Sequence, residues 1–228
     1  MAYQAFRARS QELLRNNKLL IIAELIIAVL IVVGGFVPVS STPVILLFGW
    51  LSLWLRGQGW RAVGFTPPAN WARALLLGIM FGVAYQVFGL YALEPLVMWF
   101  GGEPPDLGHF AAVRGNITFL LVMLALSWSL AAFGEELVFR GYLLNRIAEL
   151  ANRSRAGWAL GLVATSVLFG LPHLYQGVSG AITAGLSGLA IGALYLASGR
   201  NLWVPIIAHG VLDTTGFALI FFGSHPGQ

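Results

Sequence analysis

Nine residues of the 228-residue chain are acidic, and two of them stand side by side in the apolar run Phe133-Gly134-Glu135-Glu136-Leu137-Val138-Phe139-Arg140. A charge near the centre of a bilayer costs at least about 2.5–3.5 kcal/mol, so the doublet needs either a partner or a task. Arg140 follows Glu136 by four residues and shares its helix face, which lets the two pair. Glu135 is turned about 100° away and has no evident partner. A carboxylate buried without a partner holds its proton more tightly, the property of a general acid or base working near neutrality. The bland alternative is an ion pair that locks the helix, with Glu135 reaching out to polar surroundings.

Two further constellations carry chemistry. His173 follows Phe169-Gly170-Leu171-Pro172. Pro172 has no N–H to give, so a kink or helix end lies beside the imidazole and can aim it into a cavity. A histidine at a helix end serves structure just as readily. His209 and Asp213 lie four apart on the last apolar segment, hence on one face. Asp213 could orient the imidazole, share a metal or water with it, or satisfy a buried N–H. Glu24, Glu94, His109 and His225 read as interfacial or solvated groups.

These residues need helices to hold them. With 58% hydrophobic and 10% charged residues, the chain falls well below the roughly 25% charge of soluble domains, and its mean hydropathy is +0.80. The expectation is an all-α, polytopic transmembrane bundle of seven spans, or eight if one segment is split. A basic interfacial arm over 1–18 precedes a single membrane domain over 19–228. The first apolar run ends in Gly34-Gly35-Phe36-Val37-Pro38 rather than a small-residue cleavage site, so it reads as a permanent anchor. A turn at Ser40-Ser41-Thr42-Pro43 leads into a shorter second helix ending near Leu55, and the others are expected near 71–100, 117–150, 156–173, 181–198 and 203–222, with a disordered tail from Gly223. Of the 13 basic residues, all but Arg114 fall before the first helix or near the second, fourth and sixth connections. That alternation predicts a cytoplasmic N-terminus. Basic residues are dispersed, which argues against nucleic acid, and the absence of cysteine excludes disulfides and thiolate metal sites.

Small residues four apart, Gly78 and Gly82 on the third helix and Ala184, Gly188 and Gly192 on the sixth, read as close-packing stripes. Counted along a hairpin of the fourth and fifth helices turning near Ser154, Glu135 and His173 fall at similar heights. His209 lies only about 9 Å past Arg200. A fourth helix unbroken over 117–150 is about 50 Å long against a core of about 30 Å. This places the site in the cytoplasmic half of the membrane, with its cavity opening to that side, provided the helix does not break at Gly141.

Glu-Glu-x-x-x-Arg at 135–140, Phe-x-x-x-His at 169–173 and His-x-x-x-Asp at 209–213 together resemble the CPBP family, the CAAX-processing and bacteriocin-processing intramembrane endopeptidases also called Abi. The resemblance covers about residues 115–220. It implies a glutamate-dependent membrane protease acting on a membrane-associated protein or peptide, prenylated CAAX-type proteins among them. On that pattern Glu135 and His173 hold and deprotonate the attacking water, His209 and Asp213 stabilise the oxyanion, and Glu136 with Arg140 fixes the fourth helix and Glu135. Many members carry asparagine where this chain has Asp213, and an ionised aspartate cannot donate to an oxyanion. Asp213 must then be protonated, orient His209 or ligate a metal. Glu135, His173, His209 and Asp213 would make a nitrogen and oxygen donor set for a metal, zinc first, although a metal-free mechanism fits the same residues.

Two rival readings use other residues or another class. Gly177-Val178-Ser179-Gly180 and Gly185-Leu186-Ser187-Gly188, with His209 and Trp60-Arg61, echo a rhomboid-like serine protease but leave Glu135, Glu136, Arg140 and His173 without a task. A proton or cation relay in a transporter would use the same intramembrane Glu/His/Asp set.

Overall fold

The structure, a computed structural model, describes residues 11–15, 17–34 and 40–225. Among them no strand occurs. Seven helices of 14 residues or more follow one another: α1 (Lys18–Val33), α2 (Thr42–Leu55), α3 (Trp71–Trp99), α4 (Ile117–Leu150), α5 (Arg155–Gly170), α6 (Gly177–Ala197) and α7 (Trp203–Phe221). Most of the arm expected over 1–18 lies outside the described residues, as do 35–39 and the end of the tail at 226–228.

Four stretches are long and apolar enough to cross a membrane: α3, α4, α5 with α6, and α7. The third bends back on itself at the 3-10 turn Leu171–Gln176, so it contributes two antiparallel helices. α1 and α2, with 16 and 14 residues, fall short of the ~20 needed to span 30 Å. Against the expected seven or eight spans, four stretches among the described residues have the length and apolarity to cross a membrane.

Helix starts follow side-chain chemistry. The side-chain oxygens of Asn17, Asn70, Asn116 and Ser154 accept from the backbone N–H groups of Leu20, Arg73, Phe119 and Gly157 at 2.9–3.1 Å. Each satisfies one of the donors that a helix N-terminus leaves unpaired. The turn between α5 and α6 is set by Pro172, which cannot donate to the preceding turn, and by Gly177, whose φ of 83° ends it. α6 therefore begins at Gly177, four residues before the expected start, because the Gly/Ser-rich segment winds into helix.

α4 is the central element. Every residue from Glu136 to Arg146 is buried. Val138, Phe139, Tyr142 and Leu143 pack with Ala28 and Val32 of α1, Ile45 and Leu53 of α2, and Leu168 and Phe169 of α5. Leu137 and Leu144 pack with Tyr195, Leu202 and Ile206. The helix runs unbroken through Gly141, but Ser127–Leu143 is π-helical rather than α-helical, as is Gly89–Leu93 within α3. Such i→i+5 segments cluster at functional sites, and both border the cavity described below.

Gly78 and Gly82 give α3 its close approach to α7: a Cβ at Gly78 would meet Ile207 at 2.6 Å, and one at Gly82 would meet Val211 at 2.9 Å. Leu47, Leu76, Met80, Leu121, Leu160, Val167 and Trp99 form part of an exposed apolar surface of the kind that faces lipid tails rather than water.

Candidate active site

Glu136 is wholly buried, and its carboxylate joins α4 to α7. Oε1 accepts from Nη1 of Arg140 at 2.8 Å and from Nδ1 of His209 at 2.8 Å. Arg140, also buried, donates through Nη2 to the Gly188 carbonyl of α6 at 2.8 Å and lies 4.8 Å over the Phe169 ring. The expected Glu136–Arg140 pair is present, and it does more than lock its own helix. It pins α6 and sets the ring of His209, whose Nδ1–H must point at a carboxylate that can only accept. Oε2 of Glu136 is buried without a partner among the described residues.

His209 meets Asp213 on its other edge, where Nε2 lies 3.8 Å from Oδ2, beyond hydrogen-bond distance. Orientation of the imidazole by Asp213, one of the roles open from the sequence, belongs instead to Glu136. Oδ2 of Asp213 accepts from the Ser127 hydroxyl at 2.6 Å. One residue on, the Trp128 indole N–H donates to Oγ1 of Thr214 at 3.1 Å, and Gly210 leaves room for the Trp128 ring. These neighbouring contacts set the register of α4 against α7.

Glu135 and His173 face a cavity of about 960 Å³ that is also lined by Ser127, His209 and Asp213. Among the described residues, no hydrogen bond or ion pair engages the Glu135 carboxylate. His173 donates from Nδ1 to the Phe169 carbonyl at 2.9 Å. A carbonyl accepts only, so in the neutral ring Nε2 keeps its lone pair. Phe169 therefore serves three groups: its carbonyl sets the His173 tautomer, its face carries Arg140, and its ring lies 6.0 Å from that of His209. His209 reaches the depth of Glu135, since it is hydrogen-bonded to the neighbouring Glu136.

Comparison with known proteins bears on this arrangement. Residues 117–215 match the family described as type II CAAX prenyl endopeptidase Rce1-like. Over those residues the chain is similar to that family. It is the family that the three motifs resemble, and the matched segment spans α4 to α7 with all six polar residues inside it. No curated protein and no solved structure matches the chain.

In the matched segment, two histidines, a glutamate and an aspartate are donor types that zinc accepts. Among the described residues, however, no three His, Asp or Glu side chains are gathered to hold one ion. Nδ1 of His209 is taken by Glu136 and Nδ1 of His173 by a carbonyl, so a metal would have to use their Nε2 atoms together with Glu135 and Asp213. Neither serine of the rhomboid-like pattern bonds to a histidine: the Ser187 hydroxyl donates to the Thr183 carbonyl, and Ser179 is buried.

Some residues stand elsewhere than expected. Glu24 is buried, not interfacial; it accepts from Arg56 at 2.7 Å and from the Tyr142 hydroxyl at 3.2 Å. His225 is buried, which lowers its pKa below the ordinary value, and is no solvated tail residue; Glu94, half-buried, and His109, exposed, also line the cavity without departing from the expectation. Ser127 carries no sequence signal beyond lying on the helix of Glu135.

The lining of the cavity bears on the direction of access. Its walls take residues from the α1–α2 connection (Ser40, Ser41), the α3–α4 connection (Leu107, His109), the α5–α6 turn (Pro172 to Gln176) and the segment after α7 (His225). All four lie at one end of the bundle, where Arg114 stands. Arg56, Arg61, Arg153 and Arg200 lie at connections of the other end and line none of it.

Proposed function

We propose that the chain is an intramembrane endopeptidase that hydrolyses a peptide bond in a membrane-associated protein or peptide. The observation that carries this reading is the free Glu135 carboxylate facing the same cavity as His173, whose Nε2 lone pair is left open by the Nδ1–Phe169 hydrogen bond. A water held between these two groups loses a proton to Glu135 as its oxygen attacks the scissile carbonyl carbon. The carbonyl π electrons move onto oxygen, and the tetrahedral oxyanion accepts from Nε2–H of doubly protonated His209. The C–N bond then breaks as Glu135 returns the proton to the departing nitrogen. Glu136 and Arg140 hold His209 in place and do not touch the substrate.

A cavity of about 960 Å³ lies at the upper end of ligand-pocket volumes, about 300–1,000 Å³, and has room for a peptide segment with an apolar neighbour. Leu90, Leu93, Phe110, Leu130 and Phe217 supply apolar wall, which suits a substrate held in or at the bilayer. Under the positive-inside rule the basic end of the bundle and the N-terminus face the cytoplasm, and the mouth opens on the opposite side. Purified protein in lipid is expected to cleave a membrane-tethered peptide, releasing a new amino terminus detectable by mass spectrometry. Serine-directed inhibitors are expected to leave the rate unchanged. A protein that binds such peptides and never cleaves them contradicts the proposal.

A further inference from the structure

Ser127 has no place in the three motifs, yet it controls how their last member meets His209. Its side chain is buried, and its hydroxyl donates to Oδ2 of Asp213 at 2.6 Å. That same oxygen is the atom of Asp213 nearest to His209, stopping 3.8 Å short of Nε2. Asp213 stands one helical turn beyond His209, the spacing at which side chains ordinarily meet. A small rotation of the carboxylate would close the gap and absorb the Nε2 hydrogen in a charge-assisted bond. Nothing on the His209 side prevents this, because Nδ1 is already held by Glu136.

We infer that Ser127 is a positioning residue of the reaction: by binding Oδ2 it holds Asp213 off His209, leaving the Nε2 edge turned to the cavity and free to meet the oxyanion. The inference rests on the proteolytic reading for its consequence, though not for its geometry. It also gives aspartate a working place at position 213. An asparagine there could itself donate to an oxyanion; an ionised aspartate cannot, and does least harm when its lone pair is occupied elsewhere.

The test is Ser127→Ala beside Ser127→Thr in full-length protein, read in two ways. In turnover, Ser127→Ala is expected to lower kcat by about 100-fold, the scale of one lost oxyanion donor, with KM unchanged, and Ser127→Thr, which keeps the hydroxyl, to retain most of the rate. In protein labelled with 15N-histidine, whose four histidines keep the spectrum assignable, Ser127→Ala is expected to bring out an exchange-protected His209 Nε2–H that the unaltered protein lacks. Equal kcat in the alanine variant, or a His209 signal that does not change, overturns the inference. The second readout needs no turnover. If the unaltered protein cleaves nothing, the proteolytic reading fails while the spectrum still decides what Ser127 does.

Discussion

A wholly buried carboxylate survives in an apolar bundle only if its partners replace the water it has lost. Glu136 does so through Arg140 and His209, and Arg140 in turn through the Gly188 carbonyl and the Phe169 face. Removing either member strands the other. Glu136→Ala and Arg140→Ala are each expected to destabilise the protein by about 3–5 kcal/mol, seen as a lowered midpoint in thermal unfolding in detergent. The double variant should fall short of the sum, because the second deletion removes a charge that is already unpaired. The pairing was legible in the sequence, since four-residue spacing places Glu136 and Arg140 on one face. The third partner was not: His209 lies 73 residues away, and only the packing of α7 against α4 brings it to Oε1. Glu24 was misplaced for the same reason, its partners Arg56 and Tyr142 being 32 and 118 residues distant.

At the scale of elements, α4 and α7 must keep one register for Glu136, His209, Asp213 and Ser127 to meet. Two features hold that register: the Trp128–Thr214 hydrogen bond beside Ser127–Asp213, and the seat of α7 on Gly78 and Gly82 of α3. Gly82→Leu is expected to push α7 away from α3 and lower activity by at least about tenfold, since a 1 Å misplacement alone can cost about 100-fold. Gly59→Ala serves as the control, because a Cβ there meets nothing within 4 Å. Comparing the two variants' kcat at matched folded fraction checks this. The number, order and approximate bounds of the seven helices were legible, because apolar runs punctuated by Asn, Ser, Pro and Gly state them directly. The π-helical path of 127–143 was not. Nothing in local propensity distinguishes i→i+5 from i→i+4 bonding there, and the sequence reading gave Glu135 an α-helical turn.

For the whole molecule, the placement of the cavity decides which side a substrate comes from. Depth arithmetic along straight helices places the site on the cytoplasmic side; the walls of the cavity include residues of the connections at the end that carries Arg114. The chain has no cysteine, so single cysteines can report topology without background. Ser41→Cys near the mouth is expected to react with a membrane-impermeant maleimide applied outside intact cells, and Asn152→Cys at the other end only after permeabilisation. The reverse pattern would return the mouth to the cytoplasm.

The central claim is that Glu135 activates water with His173 opposite it. Its most direct test is the rate of cleavage of a membrane-tethered peptide by Glu135→Gln, which keeps shape and removes the base, in protein whose unfolding midpoint matches the unaltered chain. The account predicts a fall of at least about 10²–10⁴-fold, the range of general acid–base contributions, with a similar loss in His173→Ala. Full activity in Glu135→Gln would contradict it.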